Sequence, residues 1–235
     1  MTSSATSEFN TLRTSLEQLA LAVLDQIHRL EVALASRNSV ELQEIVVKDK
    51  DIDILEMSFD RLAKTFMELR APLGPDFRFV LSALDISRNL ERIGDCIEYV
   101  ARHVASEPKI AEEFPAAMQI IIAMTEKSRE ILQKAVHAWQ KNDLALARKI
   151  PDLDDFVDAL QDQAYSLTIR EVRAGKVDVE TGLVATLITN KLESIADIAC
   201  HIAESVVFII SARQIRHDQQ TPTTPNPSKQ QNQRK

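Results

Sequence analysis

Glycine is almost missing from this chain, with four in 235 residues. Proline is scarce where it would matter most. The eight prolines stand at 72, 75, 108, 115, 151, 222, 225 and 227 and leave long unbroken stretches between them. Stretches free of breakers and rich in Leu, Ala, Glu, Gln and Arg predict an all-α protein with helices of unusual length. Two cysteines, Cys96 and Cys200, build no disulfide framework and no CxxC motif, which fits a reducing compartment. Basic residues are outnumbered, 28 against 35 acidic, for a net charge of −7, and no basic patch supplies the phosphate contacts of a nucleic-acid binder. Long apolar runs are lacking too; Ile120–Met124 and Val206–Ile210 are too short to span a bilayer. The first seven residues are polar and hold no apolar signal core. These absences predict a cytoplasmic protein that reaches a membrane only through a partner.

What is present is helical periodicity. Phe9, Leu12, Leu16, Leu19, Val23, Ile27, Leu30 and Leu34 step by three or four and define a first helix ending near Arg37-Asn38. Residues 1–8 before it read as a flexible N-terminus. Ser39 is the expected N-cap of a second helix, with Ile45, Ile52, Leu55, Phe59, Leu62, Phe66 and Leu69 on its apolar face. Pro72 and Pro75 end it, and Asp76 is the expected start of a third carrying Val80, Leu84, Leu90, Ile93, Ile97, Val100 and Val104. After a linker over Ser106–Pro115 the plan repeats. A fourth helix holds Ile120, Met124, Ile131, Ala135 and Trp139. A fifth is expected from Asp143 to about Ala174. A sixth runs from about Val179 to Arg216 with Leu183, Leu187, Leu192, Ile195, Ile202, Val206 and Ile209 apolar. Two tandem, pseudo-symmetric three-helix bundles of long antiparallel helices are the simplest packing, over 9–107 and 108–218. Residues 219–235 carry no stripe and read as a disordered polar tail.

The duplication is explicit in one motif. Leu90-Glu91-Arg92-Ile93-Gly94-Asp95 returns as Leu192-Glu193-Ser194-Ile195-Ala196-Asp197, a displacement of 102 residues (193 − 91). Asp49 and Asp53 return as Asp154 and Asp158, 105 residues on (154 − 49). Each pair sets two carboxylates four apart, stacked along one helix face. Antiparallel neighbours would gather two pairs as four acids per half, an arrangement that repels itself unless cations compensate it. Oxygen-only donors suit hard cations, with Fe, Mn, Mg, Zn or Ca all conceivable. At about 100° per residue the pairs fall off the apolar stripes, so a shallow outer-face site is expected rather than a buried one. Solvated surface charge is the favoured alternative for any single pair; four pairs at matched positions bring metal binding level with it. Gly94 and Ala196 share one repeat position and leave room for a ligand or a neighbouring helix. His201 lies four after Asp197 and could be an added ligand, but Tyr99 stands at its matching position (201 − 102), which makes a surface histidine the preferred reading. A phosphate-cradling loop, a nucleophile arrangement and the Glu-x-x-His of di-iron bundles are all lacking, which speaks against an enzyme.

The same residues resemble a known family. Leu90–Asp95 is similar to the signature of PhoU, the regulator of bacterial phosphate uptake. Asp49-Lys50-Asp51-Ile52-Asp53 resembles that family's first acidic motif, and Pro72 through Asp76-Phe77-Arg78 resembles its helix start. Ile202-Ala203-Glu204-Ser205 to Arg216-His217 resembles its last helix, so the likeness covers about Phe9 to Asp218. It implies two three-helix bundles with multinuclear metal clusters on their surfaces. The implied ligands are Asp49, Asp53, Glu91 and Asp95 in one half and Asp154, Asp158, Glu193 and Asp197 in the other. It also implies a non-enzymatic adaptor that represses phosphate uptake and the phosphate-starvation response; beside it, the duplicated body makes a homodimer the expected assembly. The implied partners are the ATPase of the phosphate ABC transporter and a membrane sensor histidine kinase. Ser194 departs from the motif's usual Arg, Tyr99 and His201 stand where Asn is common, and Pro151 is expected to kink or restart the fifth helix. The remaining alternatives are a metal-dependent hydrolase or oxidase and a helical scaffold without a link to phosphate.

Overall fold

A computed structural model describes residues 3–211, with side chains from residue 7. The expected tail and the last turn of the sixth helix, to Arg216, lie outside the described residues. Among those described there is no strand. Three long helices come first: α1 (Ser3–Ser36), α2 (Ser39–Arg70) and α3 (Gly74–Ser106). At about 1.5 Å per residue they are rods of roughly 50 Å. A short α4 (Lys109–Glu112) bridges to α5 (Pro115–Lys141). Then come a short α6 (Leu144–Ala147), a 3₁₀ turn at Pro151–Leu153, α7 (Asp155–Arg173) and α8 (Val179–Ser211).

Local chemistry sets the corners. Arg37 takes a left-handed conformation (φ 54°), and the next residue, Asn38, caps α2 by accepting a hydrogen bond from the Glu41 amide at 3.2 Å. The cap is therefore Asn38 rather than Ser39. At the matching corner Asn142 is left-handed (φ 52°), and Asp143 accepts from the Leu146 amide at 2.9 Å. Both steps are 105 residues (142 − 37, 143 − 38), the displacement of the Asp49 and Asp53 pair. Ala71 ends α2 at φ 40°, and α3 opens at Gly74-Pro75, two residues ahead of Asp76, because proline fits the first turn of a helix. The fifth helix is not continuous. Pro151 has no amide to donate and its ring collides with the preceding turn, so the stretch from Asp143 splits into α6, the 3₁₀ turn and α7.

The α1 stripe from Leu12 to Leu34 is fully buried, and Phe9 meets Phe66 and Phe79 at centroid distances of 6.2 and 4.6 Å. That aromatic cluster joins the start of α1 to the end of α2 and the start of α3, as an antiparallel three-helix bundle requires. Three stripe members face out instead: Leu69, Leu183 and Leu187 are exposed. α1, α2 and α3 form one bundle, and α5, α7 and α8 form the other. The bundles join through α3 against α8 and α1 against α5, over one continuous core. Polar links cross the join: Arg129 pairs with Glu31, Arg13 Nη2 donates to the Gln140 carbonyl at 2.9 Å, and Ser205 Oγ donates to Asp85 at 2.8 Å.

α3 and α8 are the central helices. Each is buried on more than one face, and small residues make this feasible: Ser82, Ala83, Ser87 and Gly94 in α3, and Ala185, Ala196, Ala199 and Ala203 in α8. α8 is long and apolar enough to cross a membrane, which the short runs counted in the sequence did not suggest. Its apolar residues are used in the core.

Candidate functional site

The acids of each half meet in a seam between two helices. In the first half, Asp49 and Asp53 on α2 face Asp95 on α3, and one oxygen from each lies within 4.8 Å of the others. Glu91, one turn ahead of Asp95, lies outside that group of three, and its carboxyl feels the charges of Asp95, Asp53 and Asp49. The seam is narrow because Gly94 is at its floor. A Cβ there would stand 3.1 Å from Asp49 Oδ1 and 3.2 Å from Ile52 Cγ2. Of the two uses expected for this small residue, close approach of a neighbouring helix is the one observed.

In the second half, Asp154 lies where the 3₁₀ turn enters α7, and Asp158 is one turn on. They face Glu193 and Asp197 of α8. Asp154 hydrogen-bonds to Asp197 and is repelled by Asp197, Asp158 and Glu193. Ala196 fills the floor where Gly94 stands in the first half. Asp154 Oδ1 is buried without a hydrogen-bond partner.

Burial is the first cause of the electrostatics in both seams, and mutual repulsion is the next. Asp49 is pushed up to about 6 by burial, held back in part by a hydrogen bond from Gln26, and pushed further by Asp53, Asp95 and Glu98. Asp154 is pushed up to about 7 by burial and by Asp197 and Asp158. Glu91, Asp95, Asp158 and Glu193 are all raised by burial first and by neighbouring carboxylates after it. Carboxylates so placed offer clustered oxygen donors of the kind that hard cations accept. The acids lie off the apolar stripes, as their spacing predicts, yet Asp49 and Asp154 are half-buried in the helix seams rather than spread on an open face.

Other residues take plainer places. Cys96 and Cys200 are free and buried. Burial, followed by the nearby Asp154 and Asp197 carboxylates, pushes the Cys200 thiol up to about 12. His201 is exposed. Tyr99 stacks on His103 at 3.8 Å, and Lys191 of α8 places its ammonium 5.3 Å from the Tyr99 ring centroid. Lys191 also attenuates the upward shift of Asp95, so a cation from the second half acts on the first half's acids. Sequence reasoning missed Lys191 and Gln26. Gln26 carried a readable sign, being a polar residue on the apolar face between Val23 and Leu30.

A family model described as the PhoU domain matches the chain twice, at residues 16–104 and 121–206. The chain belongs to the PhoU family. Each copy of the PhoU domain contains one acid seam. The chain is 30% identical over 183 residues to a phosphate-specific transport system accessory protein PhoU homolog of Zymomonas mobilis, covering 78% of this chain and 76% of that one. It is 24% identical over 211 residues to PhoU homolog 1 of Thermotoga maritima, covering 89% and 90%. Its fold is that of the PhoU crystal structure from Pseudomonas aeruginosa, with a TM-score of 0.83 at 24% identity over 88% of this chain and 99% of that one. The phosphate transport system regulatory protein PhoU from Streptococcus pneumoniae superposes with a TM-score of 0.78 at 24% identity, over 90% and 99%. PhoU-family proteins are regulatory accessory proteins rather than enzymes.

Proposed function

We propose that this chain is a cytoplasmic PhoU-type regulator of phosphate homeostasis. It lowers high-affinity phosphate uptake and phosphate-starvation signalling when phosphate is plentiful, by bridging the ATPase of the phosphate ABC transporter and a sensor histidine kinase. The observation that carries the reading is the acid group between α2 and α3, where oxygens of Asp49, Asp53 and Asp95 lie within 4.8 Å of one another inside the first PhoU domain; the second domain carries acids at matched positions. The relatives are named as accessory proteins of the phosphate-specific transport system, which supports the transporter as a partner. Two bundles with a shared core offer long helical flanks for two partners, or for a second copy of the chain in a homodimer.

In this reading Asp49, Asp53, Glu91 and Asp95 hold hard cations in one seam, and Asp154, Asp158, Glu193 and Asp197 hold them in the other. Iron, manganese, magnesium or zinc would neutralise the repulsion. The donor set fits, being all oxygen, and a buried oxygen of Asp154 is left without a partner. Bound cations would pin α2 to α3 and α7 to α8 and so fix the surface that partners meet.

Removing the gene from its host tests the function. Phosphate uptake in phosphate-rich medium should stay at the starved level, and a starvation reporter should remain on. Normal repression of both in the deletion strain overturns the proposal. Co-purification of the tagged chain with the transporter ATPase and the kinase tests the bridge, and capture of neither refutes it.

A further inference from the structure

The first acid seam has a third wall. Gln26 projects from α1 into the place where α2 and α3 meet, and it is only 4% exposed. Its Nε2 donates to Asp49 Oδ1 at 3.2 Å. Its Oε1 is buried and has no hydrogen-bond partner. A buried amide that satisfies its donor and strands its acceptor carries an unrecovered desolvation cost. That open carbonyl oxygen, on the amide hydrogen-bonded to the Asp49 carboxylate, is a lone-pair donor still available to a ligand.

A cation would claim it. The two ends of a Gln amide are nearly isosteric, so a half-turn about the last side-chain torsion brings Oε1 to the position of Nε2. Without a cation the NH₂ end faces Asp49 and tempers its charge. With a cation between the helices the carbonyl end faces the metal as a neutral oxygen donor, of the kind hard cations accept.

The second seam supplies the control. Carrying Gln26 forward by the displacement that relates the two corners and the two Asp pairs (26 + 105) reaches Ile131, which is 2% exposed. An apolar side chain replaces the amide there, and Asp154 keeps an unpartnered buried oxygen. The halves carry acids at matched positions and differ in this wall, and among the described residues only the first brings three acid oxygens within 4.8 Å of one another.

We propose that Gln26 is a further cation ligand, present in the first half only, that reaches the carboxylate seam from α1 and makes the two seams unequal in affinity. The proposal rests on the reading of Asp49, Asp53, Glu91 and Asp95 as cation ligands. The test is a calorimetric titration of the full chain with Mn²⁺, in a background where Asp154→Asn and Asp197→Asn silence the second seam. In that background Gln26→Met, which keeps the volume and removes both polar atoms, should weaken Mn²⁺ binding about tenfold to a hundredfold. Gln26→Glu keeps an oxygen and loses the donor, so it should bind at least as tightly as the parent. Conversely, Ile131→Gln with an intact second seam and a silenced first (Asp49→Asn, Asp95→Asn) should tighten binding there. Circular dichroism on each variant checks that the helices persist. Binding by Gln26→Met equal to the parent, or a fall in Gln26→Glu matching that of Gln26→Met, overturns the proposal and leaves the carboxylate reading standing. Absence of Mn²⁺ binding by the unmodified chain overturns both.

Discussion

Replacing Asp154 with Asn should make the protein more stable at alkaline pH and change little at acid pH. The folded chain holds the Asp154 proton far more tightly than the unfolded chain does, because burial and the carboxylates of Asp197 and Asp158 raise its pKa from 3.8 to about 7. The folded state therefore binds more protons through this window, and stability falls as pH rises. It is fullest below about pH 4 and is lost by the time pH passes about 7. At ~1.36 kcal/mol for each tenfold in proton affinity, the ceiling on that loss is about 4 kcal/mol. Asp154 is only half-buried, so water and salt screen the repulsion, and we halve the figure to about 2 kcal/mol. Asn keeps the shape and never ionises. Urea unfolding in the presence of a chelator, at about pH 5 and about pH 8, should show the variant gaining at least ~1 kcal/mol on the parent across that interval. Excess Mn²⁺ should erase most of the parent's alkaline deficit by supplying the missing positive charge. Equal pH dependence in the two proteins would refute the account of a crowded, repulsive seam.

Two further predictions concern the backbone. Ala71 is left-handed at φ 40°, where a Cβ is strained, so Ala71→Gly should raise the urea-unfolding free energy by about 1 kcal/mol despite the entropy of glycine. Gly94→Val should do the opposite. A Cβ at that site already touches Asp49 and Ile52, and two more methyl groups would force α2 off α3, costing about 2 kcal/mol or more in thermal and urea unfolding. The same seam would lose cation binding along with stability. A matching Ala196→Val series would show how much slack the second seam has.

Much of this architecture could be read from the sequence because helical periodicity is local. The stripe from Leu12 to Leu34, the breaks at Pro72 and Pro151, and the four acid pairs all declare themselves within a few turns. What could not be read depends on other parts of the chain. Leu183 and Leu187 keep the spacing of a core stripe yet are exposed, because the neighbouring helices pack on the other side of α8, at Gly182 and Ala185. Ser39 is the expected cap, yet the role falls to Asn38 because its side chain is the one that reaches the Glu41 amide. Gln26 reads as a tolerated polar residue until Asp49 is seen opposite it. The join between the bundles left a faint trace, the excess of small residues in α3 and α8, which means little before their partners are known.

That join decides how the molecule can move. Tandem modules strung on a linker can swing; these two cannot, because α3 and α8 each belong to their own bundle and to the seal between bundles. Severing the chain between Ser106 and Pro115 would release two fragments with greasy flanks rather than two working domains. Anything that grips one end of the body must therefore tilt all of it, as a handle tilts a cup.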